Sequence, residues 1–246
     1  MIKNYLITGC CGFLGFSFSK DILKSKKIKV YGIDNLNNYY SKKLKINRLR
    51  YLQNHKNFIF IKQDLKKKDE LKKKLKSLKF EFVYHFAAQP GVRYSVINPT
   101  LYYETNVIGF NNLVNNLNFK YIKRFIYASS SSVYGDQNKF PTKESAKLKG
   151  KNPYAMTKII NEYQAQAYEQ IYKTPFIGLR FFTVYGEWGR PDMFILKLLE
   201  SHKKKKIFYL NNNGNHKRDF TYIQDVNKIL EKIRFAKLPK NNNVFN

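Results

Sequence analysis

The feature that most constrains the fold is a glycine-rich turn near the amino terminus. A short apolar run, Tyr5–Thr8, favours a β-strand, and the turn Gly9–Gly15 follows it directly. The chain then continues into Phe16–Leu23, which favours a helix. In this order, backbone N–H groups at the start of the helix can bind a pyrophosphate, and glycines allow its close approach. The sequence therefore predicts a dinucleotide-binding unit at the amino terminus.

An acidic residue at the end of the second predicted strand supports this interpretation. The apolar run Ile28–Ile33 is followed by Asp34. A carboxylate at this place can accept hydrogen bonds from both hydroxyls of an adenine ribose, and it repels a 2′-phosphate. The sequence therefore predicts NAD rather than NADP as the cofactor.

Strand-like and helix-like segments alternate along the chain. Strands are predicted at 4–8, 28–33, 58–62, 82–86, 124–129 and 176–181, and helices at 13–25, 41–52, 67–78, 100–116, 153–171 and 193–202. Such alternation predicts an α/β fold, a Rossmann-type doubly wound parallel sheet with helices on both faces. We expect a dinucleotide-binding domain over 1–183 and a small, incomplete substrate-binding region over 184–246.

A tyrosine and a lysine, Tyr154 and Lys158, are separated by about one helical turn in the helix predicted from Pro153. A phenol titrates near pH ~10, so it acts as a base at neutral pH only when a cation stabilises the phenolate. Residues four apart on a helix share a face, so Lys158 is expected to lower the pKa of Tyr154. One hydroxyl of the serine run Ser129–Ser132 would complete a proton-relay site.

Composition limits the other classes of function. The chain has 246 residues, 43% of them hydrophobic, which suits a globular protein with a sizeable core. The cysteines, Cys10 and Cys11, predict neither a disulfide framework nor a metal site. Nothing resembles a signal peptide or a membrane span, so we expect a cytoplasmic location.

The net charge is +29, from 46 lysines and arginines against 17 acidic residues. The lysines are scattered over every segment and accompany abundant Asn, Ile, Tyr and Phe, as in a compositional bias of the source genome. No zinc-finger spacing, aromatic RNA-binding motif or arginine-rich arm is present. We therefore expect no specific nucleic-acid partner, and a basic scaffold for polyanions is the weakest alternative.

Several longer segments together resemble the extended short-chain dehydrogenase/reductases that act on nucleotide sugars, the NAD-dependent epimerase/dehydratase family. The matching segments are 35–40, 87–95, 180–186, 188–193 and 217–223, and the resemblance extends to about residue 230. Within the family, the chain is most similar to the UDP-glucuronate 4-epimerases. The resemblance implies NAD-dependent epimerisation at C4 of a UDP-hexuronic acid through a 4-keto intermediate.

The resemblance also implies roles for individual residues. The catalytic group would be Ser130, Tyr154 and Lys158, the last two also touching the cofactor. The other cofactor contacts would be Gly9, Gly12, Phe13, Gly15, Asp34, Asp64, Leu65, Ala87, Ala88 and Asn106. Substrate contacts would be Arg93, Ser131, Ser132, Thr183, Arg190 and Arg218, with Arg218 meeting the UDP.

Neighbouring enzymes of the same family differ within the serine run. Sugar 4,6-dehydratases carry an Asp-Glu pair where this chain has Ser131 and Ser132, and related decarboxylases carry Glu in place of Ser132. The serines favour an epimerase over these alternatives. The family also continues beyond Asn246, so the resemblance implies a carboxy-terminal truncation. A remnant that binds NAD without turnover is therefore an alternative, and a homodimer is expected of the complete protein.

Overall fold

A computed structural model describes residues 2–215, 217–239 and 243–246. Nine strands are described: β1 Lys3–Thr8, β2 Ile28–Asp34, β3 Phe58–Lys62, β4 Phe82–His85, β5 Arg124–Ser130, β6 Phe176–Phe181, β7 Thr183–Tyr185, β8 Phe220–Tyr222 and β9 Val244–Phe245. Nine α-helices are described: α1 Phe13–Ile22, α2 Lys42–Gln53, α3 Lys68–Leu75, α4 Val92–Ile97, α5 Pro99–Tyr102, α6 Gly109–Asn115, α7 Pro153–Tyr172, α8 Phe194–Lys203 and α9 Ile223–Lys232. A π-helical segment spans Tyr103–Ile108, and 3₁₀ turns span Ser131–Tyr134 and Asn211–Gly214.

The main sheet has seven parallel strands in the order β3-β2-β1-β4-β5-β6-β9. The chain order reverses between β1 and β4, where neighbouring connections leave on opposite faces. In sheets of this kind, ligands bind beside the carboxyl ends of the strands at this point. The predicted Rossmann-type fold is confirmed.

Apolar cores cover both faces of the sheet. On one face, α1 and α9 pack through side chains such as Phe18 and Leu230 against Tyr84. On the other face, Phe110 of α6 packs against Phe125 of β5. Burying one large apolar side chain contributes about 1.5–3 kcal/mol, so these cores hold the strand ends in fixed positions.

The region after β6 forms a small second sheet and also contributes one strand to the main sheet. Strands β7 and β8 pair in parallel, and β9 extends the main sheet beside Gly178 and Leu179 of β6. The division into two regions at residue 183 stays a prediction. Elements α9 and β9, which follow that boundary in sequence, pack with the amino-terminal core.

All six predicted strands are present, with ends that differ by one residue at most. The helix predicted over 100–116 is instead divided into α5, the π-helical segment and α6. Elements α4, α9, β7, β8 and β9 were not predicted. Within the described residues, no helix combines the length and the apolar character needed to cross a membrane.

Candidate active site

A cavity of about 630 Å³ opens at the carboxyl ends of the strands of the main sheet. It extends from the glycine turn after β1 to the loop after β7. Its lining includes the predicted site residues Gly9, Gly12, Phe13, Gly15, Asp34, Asp64, Leu65, Ala87, Ala88, Arg93, Ser130, Ser131, Ser132, Tyr154, Lys158, Thr183 and Arg190. The structure therefore brings most of the predicted residues into one place.

The glycine turn forms a cradle with no room for side chains. Gly9 has a φ of +69°, and a Cβ there would lie 2.7 Å from the backbone nitrogen of Ala87. A Cβ on Gly15 would lie 2.2 Å from the carbonyl oxygen of Gly9. Helix α1 follows Gly12, which has no side chain with which to cap the helix. These backbone groups fit a dinucleotide pyrophosphate.

Asp34 is held by backbone N–H groups at the end of β2. Its Oδ2 accepts from the Cys11 nitrogen at 3.0 Å, and its Oδ1 accepts from the Leu36 nitrogen at 2.8 Å. Burial raises the pKa of Asp34, while these hydrogen bonds and the nearby Lys45 oppose the rise. The carboxylate is therefore fixed at the cavity wall, where a ribose could donate to it.

The sulfur atoms of Cys10 and Cys11 and a carboxylate oxygen of Asp34 lie within 4.8 Å of one another. Burial raises the pKa of Cys10 well above its ordinary value, which opposes the thiolate form that binds metals. The absence of a metal site stays a prediction.

Ser130 and Tyr154 both line the cavity and interact with each other. Burial raises the pKa of Tyr154, and this rise is opposed by a hydrogen bond with Ser130 and by the charge of Arg190. Ser130 also accepts from the Ser132 nitrogen at 3.2 Å. Among the serines of the run, Ser130 is thus the one in contact with the phenol.

The predicted effect of Lys158 on the pKa of Tyr154 stays a prediction. The Nζ atom of Lys158 donates to the carbonyl oxygen of Ala128 at 2.8 Å, and burial lowers the pKa of Lys158 to about 8. The groups that favour the phenolate are Ser130 and Arg190. Sequence spacing gives the shared helix face but cannot show which acceptor the ammonium takes.

The guanidinium of Arg190 lies in the lining of the cavity. Its Nε donates to Asp192 Oδ1 at 3.0 Å, and its Nη2 donates to Asp192 Oδ2 at 2.8 Å. Burial alone would lower the pKa of Arg190, but the Asp192 carboxylate outweighs it and the pKa rises. Arg190 is therefore charged and held in one orientation next to Tyr154.

Two predicted site residues do not line this cavity. The amide of Asn106 is used by the protein itself: Oδ1 accepts from the Gln89 nitrogen at 2.7 Å, and Nδ2 donates to Thr157 Oγ1 at 3.0 Å. Asn106 thus joins the loop after β4, through Gln89, to Thr157 of α7. Arg218 is exposed, and its Nη1 donates to the carbonyl oxygen of Lys217 at 3.0 Å.

A buried network beneath the serine run was not predicted. Arg180 and Glu162 form an ion pair, with Nη2 and Oε2 2.8 Å apart and side chains only 6% and 7% exposed. Ser129 donates to the same carboxylate. Because both partners are buried, the pair fixes β6 against α7, which carries Tyr154, and the bond from Ser129 adds the end of β5. A lone glutamate on α7 gives no sequence signal for this role.

Comparison with known proteins identifies the family. The family model described as the NAD dependent epimerase/dehydratase family matches residues 5–246. The chain belongs to this family. Its enzymes use NAD, so the predicted cofactor and the predicted resemblance are confirmed, and the glycine cradle with Asp34 fits that cofactor.

Similar proteins include several epimerases. The chain is 41% identical to protein CapI of Staphylococcus aureus, over 93% of this chain and 68% of the relative. It is 42% identical to UDP-glucuronate 4-epimerase 4 of Arabidopsis thaliana, over 91% of this chain and 52% of the relative. The crystal structure of UDP-glucuronic acid 4-epimerase from Bacillus cereus, in complex with UDP-glucuronic acid and NAD, superposes with a TM-score of 0.90 at 30% identity, over 98% of this chain and 76% of that one. The chain therefore spans between half and about three quarters of the length of these proteins.

Proposed function

We propose that the protein interconverts UDP-glucuronate and UDP-galacturonate by epimerisation at C4. One observation carries the proposal: a single cavity holds the Tyr154–Ser130 pair, the guanidinium of Arg190 and the hydroxyls of Ser131 and Ser132. The similarity to UDP-glucuronate 4-epimerases supports the choice of sugar. No carboxylate stands within the serine run, which disfavours the elimination performed by dehydratases.

The proton chemistry falls to Tyr154. Its phenolate would remove the proton from the sugar O4, and Ser130 would orient that oxygen by a hydrogen bond. Burial opposes the phenolate, so the charge of Arg190 and the Ser130 hydroxyl are needed to favour it. When bound, NAD supplies the acceptor and donor of the C4 hydride. Lys158, at the floor of the cavity, would bind the hydroxyls of the nicotinamide ribose.

The carboxylate of the sugar explains the need for Arg190. A 4-keto glucuronic acid is a β-keto acid, which loses carbon dioxide readily unless its carboxylate is restrained. A planar guanidinium can restrain it through two parallel hydrogen bonds. Asp192 occupies one such edge of Arg190, so the substrate would take the remaining N–H groups or replace Asp192. Arg93, Ser131, Ser132 and Thr183 would complete the substrate contacts.

The remaining expectations belong to the same proposal. The region 184–246 would serve the nucleotide sugar, with Arg218 reaching the UDP after a rearrangement of its loop. Exposed apolar side chains on neighbouring helical segments, including Ile108 and Met156, suit a homodimer interface. A cytoplasmic location would match the supply of nucleotide sugars.

Turnover by matched variants tests the proposal. Protein loaded with NAD should convert UDP-glucuronate to UDP-galacturonate without net consumption of NAD, as measured by chromatography of the nucleotide sugars. Tyr154→Phe should abolish conversion and keep NAD binding. Tyr163→Phe is the control, because Tyr163 lies on the same helix and is 63% exposed. Release of carbon dioxide would identify a decarboxylase, and NAD binding without any turnover would identify a remnant.

A further inference from the structure

Arg48 of α2 is the largest of the fully buried side chains, and it lies outside the predicted site. Its Nη1 donates to the carbonyl oxygen of Cys11 at 2.9 Å and to the hydroxyl of Tyr40 at 2.7 Å. Its Nη2 donates to the carbonyl oxygens of Trp188 and of Gly189, the latter at 3.2 Å. One guanidinium thus joins parts of the chain that are far apart in sequence.

Burying a cation at this position costs free energy of desolvation. In the described part of the chain, Arg48 forms no ion pair, and its Nε has no hydrogen-bond partner. A buried charge is tolerated only when several acceptors replace water. Here three of the four acceptors are neutral backbone carbonyls, and the nearest compensating charge, on Asp34, acts from beyond ion-pair distance. An apolar side chain would fill the same space without this penalty. The role of Arg48 is therefore sought in holding its hydrogen-bond partners in place.

The partners of Arg48 belong to two segments of the chain, and each segment is continuous with a different part of the cavity lining. Cys11 belongs to the glycine turn, and its N–H binds Asp34 on the cofactor side. Trp188 and Gly189 directly precede Arg190, which lines the cavity. The ring of Trp188 also packs on Phe16 of α1, with centroids 5.1 Å apart. Arg48 therefore joins the glycine turn to the segment that precedes Arg190.

The loop at Trp188 needs such support. Trp188 has a φ of +60°, a left-handed conformation that is unfavourable for a bulky residue. Strain of this kind costs of order 1–3 kcal/mol and persists only where the surroundings enforce it. The carbonyl of this strained residue is the group that accepts from Arg48. The hydrogen bond and the strain thus occur at one peptide.

We propose that Arg48 is a positioning residue that ties the 186–190 loop to the glycine turn and so sets the place of Arg190 in the cavity. The identity of the ligand that Arg190 meets rests on the proposed function. The position of the loop does not, since it is a property of the protein alone. A displacement of about 1 Å in a substrate-binding group can slow a reaction about 100-fold.

The experiment uses Trp188, the only tryptophan of the chain, as a reporter of the loop. Arg48→Met is compared with Arg50→Met, the control, because Arg50 is exposed on the same helix. Acrylamide quenching of Trp188 is measured without substrate, at a temperature where far-UV circular dichroism shows both variants folded. Arg48→Met should raise the quenching constant about twofold, and Arg50→Met should leave it unchanged.

Kinetics then separates positioning from a general loss of structure. With UDP-glucuronate, Arg48→Met should raise KM about tenfold or more while NAD affinity falls less than threefold. Arg48→Lys keeps the charge but has a single donor group, so its KM should lie between those of the wild-type protein and Arg48→Met. The lysine variant also replaces the methionine variant in these measurements if the latter does not fold. Quenching and KM equal to those of Arg50→Met would overturn the inference. If the wild-type protein does not turn over UDP-glucuronate, the proposed function fails, and the quenching comparison still decides the role of Arg48.

Discussion

Replacing Lys158 with methionine should make the protein more stable. The side chain is only 3% exposed, and burial lowers its pKa from the usual 10.5 to about 8. One pKa unit corresponds to about 1.4 kcal/mol, so keeping this amine charged in the folded protein costs about 3 kcal/mol at neutral pH. Methionine has a similar length and removes that cost. It also leaves the carbonyl of Ala128 without its donor, which takes back about 1 kcal/mol.

The net gain for Lys158→Met is therefore about 2 kcal/mol at pH 7, or roughly 4–8 °C in Tm for a domain of this size. The folded protein releases the Lys158 proton near pH 8 and the unfolded chain near pH 10.5. The cost is thus fully present below pH 8 and disappears between pH 8 and 10.5, so the gain should shrink over that range.

Urea denaturation of protein freed of nucleotide, at a series of pH values, measures this difference. Lys72→Met is the control, because Lys72 is exposed and its replacement makes the same change in net charge. A variant less stable than the wild-type protein at pH 7, or a gain that is constant up to pH 10.5, would refute the reasoning. Turnover should be lost in Lys158→Met, which would make Lys158 a residue kept at the expense of stability.

Three further substitutions test other parts of the account. Gly15→Ala places a Cβ 2.2 Å from the carbonyl oxygen of Gly9, so NAD affinity should fall at least about tenfold by calorimetry. Unchanged affinity would show that the cradle is not the cofactor site. Asp34→Asn should narrow the preference for NAD over NADP at least about tenfold, and equal affinities in the wild-type protein would remove the basis for this role. Glu162→Ala leaves Arg180 buried and unpaired, so the free energy of unfolding should fall by about 3–5 kcal/mol, and a loss below about 1 kcal/mol would contradict the structure.

The sequence predicts the sheet and the cavity well because both depend on local patterns. Strands buried on two faces appear as short apolar runs, and the residues that follow them meet at one edge of a parallel sheet. Asp34, the serine run and Thr183 were located in this way. Helix α9 has a comparable signal in the sequence, since Ile223, Val226 and Leu230 lie on one helical face.

The rest depends on contacts that no local pattern shows. Arg48 looks like an ordinary helix residue, and its partners Trp188 and Gly189 are 140 and 141 positions away. Asn106 has the chemistry of a ligand contact, yet the surrounding protein uses its amide. Lys158 shares a helix face with Tyr154, but its ammonium is turned toward a carbonyl. In each case the three-dimensional arrangement decides which of several possible hydrogen bonds forms.

The fate of the hydrogen on C4 tests the central claim most directly. Protein loaded with NAD is incubated with UDP-glucuronate that carries deuterium at C4, and the UDP-galacturonate is analysed by proton NMR. If oxidation and reduction occur at C4 within one closed site, the product keeps the deuterium at C4 and no carbon dioxide is released. Product with solvent hydrogen at C4 would contradict the proposed chemistry, and a decarboxylated pentose would contradict the proposed role of Arg190.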